Sequence, residues 1–425
     1  MMDGLIAFLH RRRVASLLVI LTTAPMVWGL LSRLRKHNHL FADFLQLSCA
    51  AARTGAHQPL FSGAPCEGMD AMPFVYIPLI AHGAAALTGA LGPFGFSLLY
   101  VLVYIAAGFY LGWVLVFSKA VVLQLVERAP LMTLITGSAL SWGNIALPLT
   151  ALIVGAANAA LTLPIGFGAA VAVAAVFKPV FLVYLLGLLY APLPLMRRAL
   201  VIGGSALCGL APTLTFLVFG GEEARQWTAQ TLHYVLVQAP GYGFLGWMAA
   251  LGVSGVGPVV AGLFMLYALV IVVSGWIVAT QSGLPDRDRV WLGLGAAALL
   301  IPRLMRYDAF LLGLGLIVLA QAARALSPRH GRTLSIAVYG LLALSWVLNF
   351  AVGGNLLLLV TPLFSLLLVG VAAWCLQRRL RQETSPIRCF WTPPLSRAKR
   401  APFRPSASDP PRTWRSHALV PKIPR

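Results

Sequence analysis

Apolar residues recur along this chain in long runs that are separated by short polar segments. A helix needs about 20 apolar residues to cross the hydrocarbon core of a bilayer, and most of these runs approach or exceed that length. The pattern therefore predicts an all-α polytopic membrane protein. We expect helices near residues 14–32, 73–91, 94–117, 130–160, 163–190, 199–219, 258–280, 289–302, 308–323, 333–351 and 354–377.

Basic residues cluster in short loops between these runs, and their positions predict the topology. Positively charged loops stay on the cytoplasmic side of a membrane, so we expect five loops there, at residues 10–13, 196–198, 286–289, 324–332 and 377–382. This assignment requires one additional crossing between residues 118 and 163. A helix break within GSALSWGNIALP, residues 137–148, would supply it. We therefore expect about twelve crossings with both termini in the cytoplasm.

Composition agrees with this fold class and limits the function. Hydrophobic residues make up 59% of the chain and the mean hydropathy is +0.84, so a soluble protein of this length would have too few polar residues for its surface. The net charge of +20 is accordingly interpreted as attraction to the cytoplasmic side of a membrane and its anionic lipids. It does not indicate binding of nucleic acid.

The two ends of the chain differ from the part between them. Residues 378–425 are basic, rich in proline and without helical periodicity, so we expect a disordered cytoplasmic tail after a transmembrane domain of residues 1–377. The first apolar run, residues 14–32, is not followed by a small-residue cleavage site. We interpret it as a retained helix and not as a signal sequence.

Several common kinds of site leave no motif in this sequence. The five cysteines form no CxxC pair or Cys/His cluster, which argues against zinc or iron–sulfur binding. Whether Cys49 and Cys66, which share the first loop, form a disulfide stays open. The chain also lacks a P-loop, a GxSxG motif and an HExxH motif. ATP-driven transport and hydrolysis of the soluble type therefore have no support.

Two of the twelve acidic residues, Asp43 and Asp308, adjoin apolar segments at the predicted membrane boundary. In DFLQLSCAAARTG, which begins at Asp43, apolar and small residues recur at helical spacing and predict a short amphipathic helix on the membrane surface. Asp43 would then be a functional carboxylate or only the N-cap of this helix.

Asp308 ends the stretch PRLMRYD, which contains two arginines. Arg303 and Arg306 are three residues apart and would share one face if the segment is helical. Such a pair suits a phosphate or pyrophosphate group, because each guanidinium can donate two parallel hydrogen bonds. The alternative is that both arginines snorkel to the interface and that Asp308 is their ion-pair partner.

Two polar residues lie inside apolar runs. Lys178 in AAVFKPV precedes a proline and either snorkels to an interface or faces an internal cavity that holds an anion. Asn144 lies in SWGNIALP, at the predicted helix break, where a polar side chain is typical of a cavity wall.

Together these motifs, in this order, resemble those of glycosyltransferase family 87, integral-membrane enzymes of the GT-C type that depend on polyprenyl phosphates. The resemblance covers roughly residues 15 to 325. The first outer loop of the family begins with Asp and an aromatic residue, as DFLQLSCAAARTG does here. The family's aromatic–Tyr–Pro motif, its asparagine-containing break, its Lys-Pro helix end and its last Tyr-Asp motif are similar to PFVYIPL (73–79), WGNIALP, AAVFKPV and IPRLMRYD (301–308).

The resemblance implies a GT-C-like bundle of about 11–12 transmembrane helices, whose first outer loop carries the short interfacial helix. It implies a transferase of the cell inner (cytoplasmic) membrane with an active site that faces the periplasm. Such an enzyme moves a hexosyl, mannosyl-like unit from a polyprenyl-phosphate sugar to a hydroxyl group of a lipid or glycan acceptor. The configuration at the anomeric carbon is inverted.

The resemblance also assigns roles to residues. Asp43 is expected to be the catalytic base that takes the proton of the acceptor hydroxyl. The leaving phosphate is already charged and needs no general acid, so its growing charge is expected to be stabilised by Arg303, Arg306 and Lys178. Substrate binding is expected from Tyr76, Asn144, Tyr307 and Asp308. No cofactor, metal ion or nucleic acid is expected.

Other classes of membrane protein are alternatives to this reading. A multi-pass transporter or flippase also combines many helices with few charges, but no internal repeat relates the two halves of this chain. A lipid-linked glycan polymerase or ligase tends to have its large loop late in the chain, whereas here the first loop, residues 33–72, is the richest in polar residues. A scaffold subunit without activity is a further alternative, because a tyrosine pair and a glutamine of the family motifs are absent.

Overall fold

The computed structural model describes residues 31, 41–61, 74–117, 137–234, 240–253, 255–352 and 357–383. Within these ranges every regular element is a helix. In chain order the α-helices are α1 (Ala42–Gly55), α2 (Pro78–Gly112), α3 (Gly137–Trp142), α4 (Ala146–Ala157), α5 (Pro164–Phe177), α6 (Leu186–Tyr190), α7 (Leu195–Phe219), α8 (Gly221–His233), α9 (Phe244–Ala250), α10 (Pro258–Gln281), α11 (Asp286–Leu299), α12 (Phe310–Leu326), α13 (Pro328–Val352) and α14 (Leu357–Glu383). A π-helical segment, Trp113–Phe117, extends α2, and a 3₁₀ helix, Pro179–Leu185, precedes α6.

Long apolar helices make this an all-α membrane protein, as the sequence predicts. Four helices among the described residues are long and apolar enough to cross a membrane: Pro78–Leu115, Leu195–Phe219, Pro258–Gln281 and Leu358–Arg381. Large apolar side chains project outward from them, and Phe94 and Phe219 are each 81% exposed. An apolar surface of this kind requires a lipid environment. Four shorter apolar helices are Ala146–Ala157, Pro164–Phe177, Pro179–Tyr190 and Phe310–Leu326.

Two helix breaks were predicted in the first part of the chain, and the structure has both. The expected boundary between helices 73–91 and 94–117 is confirmed, because α2 consists of two helical segments that meet at a kink, where Gly92 has non-helical angles, with φ 71° and ψ 164°, followed by Pro93. The expected break within residues 137–148 is present: α3 ends at Trp142 and α4 begins at Ala146.

The single helix expected over residues 163–190 is wrong. α5 ends at Phe177, and Lys178 has extended backbone angles, with φ −139° and ψ 99°. The physical reason is Pro179, which disfavours the helical conformation of the residue before it. Lys178 therefore lies at a helix end, and the 3₁₀ helix and α6 continue the chain away from it.

α11 and α12 form the buried centre of the protein and position the connection between them. Residues 290–299 of α11 and residues 310–320 of α12 are all buried. α11 has 14 residues and spans about 20 Å at 1.5 Å per residue. At the far end of this pair, Arg287 donates a hydrogen bond to Asn158, and Arg378 donates to the backbone oxygen of Leu326 at 3.4 Å. The connection 300–309 thus lies at the opposite end from these basic residues.

Two predicted segments and one cysteine of the first loop lie wholly or largely outside the described residues. The first predicted helix, 14–32, is described only at Leu31. At the other end, α14 continues to Glu383, beyond the predicted domain boundary at residue 377, and residues 384–425 of the predicted tail are outside the description. Cys66 is outside it as well, whereas Cys49 is disulfide-bonded and Cys208 and Cys375 are free.

Candidate active site

Asp43 lies in the first turn of α1, which has the bounds that the sequence predicts. The N-cap of this helix is Phe41, with left-handed backbone angles and no side-chain capping bond. The N-cap role of Asp43 is therefore wrong, because Asp43 is already inside the helix. A carboxylate in the first turn is favoured by the helix dipole. Asp43 is partly exposed, whereas Phe44 and Leu47 on the same helix are buried.

The break between α3 and α4 brings Asn144 to Asp43. The side-chain Nδ2 of Asn144 donates a hydrogen bond to Oδ2 of Asp43 at 2.5 Å. The backbone supports this contact, because the N–H of Phe41, just before α1, donates to the carbonyl oxygen of Ser141 at 2.7 Å. The start of the first-loop helix and the helix break thus form one joined unit.

Lys178 reaches the same amide from the end of α5. Its Nζ donates a hydrogen bond to Oδ1 of Asn144 at 2.7 Å and lies 4.6 Å from the centroid of the Tyr307 ring. The ammonium is also within electrostatic reach of Asp308, Asp43 and Arg303. Lys178 therefore faces the protein interior, and the alternative that it snorkels to an interface is wrong.

Asp308 is the most deeply placed carboxylate of the site. It is 5% exposed, and its Oδ2 accepts a hydrogen bond from the backbone N–H of Met305 at 3.2 Å. Within the part of the chain that the structure describes, Oδ1 has no hydrogen-bond partner. Burial raises the pKa of the Asp308 carboxyl group, and the positive charge of Lys178 acts in the opposite direction. Because Oδ1 has no partner among these residues, it is suited to accept a hydrogen bond from a ligand.

Arg303 and Arg306 lie in a non-helical connection between the expected helices 289–302 and 308–323, so the helical arrangement in which they would share one face is not present. The reason is the pairing of this connection with the segment after residue 240. The N–H of Tyr242 donates to the oxygen of Leu304 at 2.7 Å, and the N–H of Leu245 donates to the oxygen of Pro302 at 2.9 Å. These backbone bonds replace the bonds that a helix would form.

The two arginines are held by different tyrosines. The guanidinium of Arg303 lies over the ring of Tyr234 with 4.8 Å to its centroid. The Nε of Arg306 donates to the hydroxyl of Tyr242 at 3.0 Å. Arg303 is among the charges that act on Lys178 and Asp308, so it belongs to the same cluster. Neither arginine forms an ion pair with Asp308 in the described part of the chain, which contradicts the ion-pair alternative.

Tyr76 is buried beside these charges. The segment that carries it is held by α8, because Trp227 donates to the oxygen of Val75 at 3.0 Å and Gln230 donates to the oxygen of Phe74 at 2.8 Å. Tyr76 is within electrostatic reach of both Asp43 and Asp308. Its ring therefore lies in the same site as the two carboxylates.

Sequence reasoning missed four tyrosines that line or support this site: Tyr100, Tyr104, Tyr234 and Tyr242. From α2, Tyr100 donates a hydrogen bond to the carbonyl oxygen of Gly143 at 2.7 Å. Tyr104 packs edge-on against Phe41, with ring centroids 5.3 Å apart. The helical spacing of Tyr100 and Tyr104 was visible in the sequence. An apolar run of this kind, however, does not indicate which face of the helix lies against a site.

The structure therefore brings most of the predicted site residues together at one end of the central helices. The cluster combines a partly exposed carboxylate, a buried carboxylate, an ammonium, a guanidinium and several phenols: Asp43, Asp308, Lys178, Arg303, Tyr76 and Tyr307. Asn144 joins two of them, and Arg306 lies beside the cluster on Tyr242. Such a set is suited to an anionic ligand that carries hydroxyl groups. Comparison with known protein families, with curated proteins and with solved structures finds no match for this chain.

Proposed function

We propose that this protein is an integral-membrane glycosyltransferase with a GT-C-like bundle of about 11–12 transmembrane helices. It transfers a hexosyl, mannosyl-like unit from a polyprenyl-phosphate sugar to a hydroxyl group of a lipid or glycan acceptor. The site faces the outer side of the inner membrane. The observation that carries the proposal is the convergence of the Asp43 carboxylate with the positive groups of Lys178 and Arg303.

The two carboxylates differ in access, and this difference assigns their roles. Asp43 is partly exposed, so an acceptor hydroxyl can approach it. Asp308 is 5% exposed, so an acceptor that approaches from outside meets Asp43 first. Asp43 is therefore the general base, and Asp308 binds a hydroxyl group of the donor sugar through Oδ1.

The reaction is a single displacement at the anomeric carbon. Asp43 takes the proton of the acceptor hydroxyl while that oxygen attacks the anomeric carbon from the face opposite the phosphate. The bond between that carbon and the phosphate oxygen breaks, and both its electrons leave with the polyprenyl phosphate. Arg303 and Arg306 stabilise the additional negative charge on the phosphate. The products are the inverted glycoside, the polyprenyl phosphate and a protonated Asp43.

The test is transfer by the purified protein in lipid nanodiscs, with a radiolabelled polyprenyl-phosphate mannose as donor and membrane lipid extract as acceptor. Wild-type protein is expected to release polyprenyl phosphate and to label a glycolipid. Asp43→Asn is expected to reduce the rate by about 10² to 10⁴, the usual contribution of a general base. Asp286→Asn, at the far end of α11 where Asp286 pairs with Arg289 at 3.6 Å, is the matched control.

Two outcomes would overturn the proposal. One is Asp43→Asn protein that retains the wild-type rate, which removes the base. The other is wild-type protein that moves the labelled donor between leaflets of a vesicle without cleaving it, which identifies a flippase. A polymerase or ligase would instead consume an oligosaccharide linked to a lipid pyrophosphate, so a parallel incubation with that donor separates this class.

A further inference from the structure

A chain of side-chain hydrogen bonds links Lys178 to Asp43 through Asn144. The three residues come from separate elements: the end of α5, the start of α1 and the break between α3 and α4. Lys178 donates to Oδ1 of the amide at 2.7 Å, and the opposite side of the amide donates to Asp43. The inference below rests on the proposed function, in which Asp43 is the base.

The orientation of the Asn144 amide follows from its partners. Oδ1 accepts from the Lys178 ammonium and also from the backbone N–H of Ala146 at 2.9 Å. Both of these groups can only donate, so a flipped amide would set its NH₂ group against two donors. Nδ2 must therefore face Asp43. Because Nδ2 in turn can only donate, Oδ2 of Asp43 must be an acceptor.

The backbone around Asn144 is fixed as well. Gly143 has a left-handed φ of 64°, and its carbonyl oxygen accepts the hydrogen bond of the Tyr100 hydroxyl at 2.7 Å. Asn144 itself is 5% exposed. The amide thus has neither space nor alternative partners that would allow it to turn away from Asp43.

We infer that Asn144 is a positioning residue, held by Lys178, that fixes the carboxylate of Asp43 for proton transfer. Lys178 in this arrangement serves the base and not the donor phosphate, which is bound by Arg303. Asn144 does not touch the substrate. The assignment of Asn144 to substrate binding and of Lys178 to phosphate binding is thereby replaced.

The sharpest test is Asn144→Asp, because aspartate is nearly isosteric with asparagine and retains both acceptor bonds. At the position of Nδ2 it has a carboxylate oxygen, which cannot donate to Asp43 while ionised and repels its negative charge. A misplaced catalytic group can reduce the rate by about 10²-fold, so we expect kcat to fall by that factor while the donor KM changes less than about twofold. Asn158→Asp makes the same chemical change at an exposed site beside Arg287 and should leave both constants unchanged.

Lys178→Met and Asn144→Ala complete a double-mutant cycle. If Lys178 acts through Asn144, each single variant lowers kcat to a similar degree and the double variant is no slower than either. Two results together would instead place Lys178 on the phosphate and overturn the inference. They are an increase of the donor KM by about tenfold or more in Lys178→Met, and effects of the two substitutions that multiply in the double variant.

Thermal unfolding separates failure of this inference from failure of the proposed function. The same four proteins are compared by melting temperature in nanodiscs without substrate. The two substitutions should couple, so that the double variant is less destabilised than the sum of the singles. Additive effects would show that Lys178 and Asn144 are independent and would overturn the inference even if the wild-type protein transfers no sugar. Coupled effects without sugar transfer would contradict only the proposed function.

Discussion

The ring of Phe41 lies directly against Gly143, so closely that a β-carbon at residue 143 would come within 2.3 Å of the Cδ1 atom of Phe41. Both residues have left-handed backbone angles, with φ of 60° for Phe41 and 64° for Gly143. They precede Asp43 and Asn144 by two residues and one residue respectively. This contact therefore sets the distance over which the carboxylate and the amide meet.

Substitution of Gly143 by alanine tests this dependence. The new methyl group must push Phe41 and the start of α1 away, and alanine at positive φ adds about 1 kcal/mol of strain. We expect the transfer rate to fall by about 10²-fold, because Asp43 and Asn144 separate. The measurement is kcat for the donor, together with the melting temperature.

Gly283→Ala is the matched control for this prediction. Gly283 also has a left-handed φ, 76°, but no heavy atom lies within 4 Å of a β-carbon built there. It therefore places alanine at a positive φ without the collision. If Gly283→Ala loses as much activity as Gly143→Ala, backbone strain explains the effect and the contact with Phe41 does not.

Local signals in the sequence predicted part of this site correctly. The apolar spacing of DFLQLSCAAARTG predicted α1, and the stretch GSALSWGNIALP predicted the break before α4. Each depends on neighbours along the chain. The proline effect at Lys178 is local as well, but it was outweighed by the long apolar run around it.

The remaining parts of the site arise from packing between distant segments. Tyr234 follows the polar helix α8, and Tyr242 lies in a short loop, so neither has a local pattern that indicates an arginine partner. The carbonyl groups of the arginine segment accept hydrogen bonds from the segment after residue 240. Such pairing depends on tertiary structure and cannot be read from spacing.

The contact of Arg303 with Tyr234 predicts a ranked series of variants. The attraction between a cation and an aromatic ring is worth about 0.5–2 kcal/mol. Here this contact orients the guanidinium of Arg303 for the donor phosphate. Tyr234→Phe keeps the ring and should keep the donor KM, whereas Tyr234→Leu should raise it by about 2- to 30-fold. Arg303→Ala should raise it further. The measurement is the donor KM at saturating acceptor.

Trp276→Leu provides the comparison for that series. Arg198 lies 5.5 Å from the centroid of the Trp276 ring, at a distance from the site, so this variant removes a similar contact elsewhere. An equal increase of KM in Trp276→Leu would indicate a general loss of packing. Equal KM values in Tyr234→Phe and Tyr234→Leu would contradict the role of the ring.

The buried carboxyl of Asp308 predicts a pH dependence of stability. Burial raises its folded-state pKa above the unfolded value of 3.8, so the folded protein binds the proton more tightly than the unfolded chain. Its contribution to stability is therefore greatest at low pH and is lost as the pH rises through the folded-state pKa. Asp308→Asn removes this loss, so its melting temperature relative to wild type should increase as the pH rises from below the unfolded value of 3.8 to neutrality.

Asp286→Asn serves as the reference for the pH series, since it makes the same change at an exposed residue distant from the site. The opposite trend in Asp308→Asn, a relative melting temperature that falls as the pH rises, would mean that the positive charge of Lys178 outweighs the effect of burial. The same variant should raise the donor KM in the transfer assay, because an amide nitrogen at the position of Oδ1 cannot accept a sugar hydroxyl.

The last prediction concerns the sides of the membrane. Gln58 is exposed after α1 near the site, and His330 is exposed near the start of α13, among the basic loops. These positions lie at opposite ends of the central helices, so cysteines placed there should be accessible from opposite faces. A membrane-impermeant maleimide should label Gln58→Cys in intact cells, and His330→Cys only after the membrane is permeabilised. Both are built on Cys208→Ser, since Cys208 is free and exposed. Labelling of His330→Cys in intact cells, with Gln58→Cys protected, would place Asp43 in the cytoplasm, where a site for an outer-face sugar donor cannot operate.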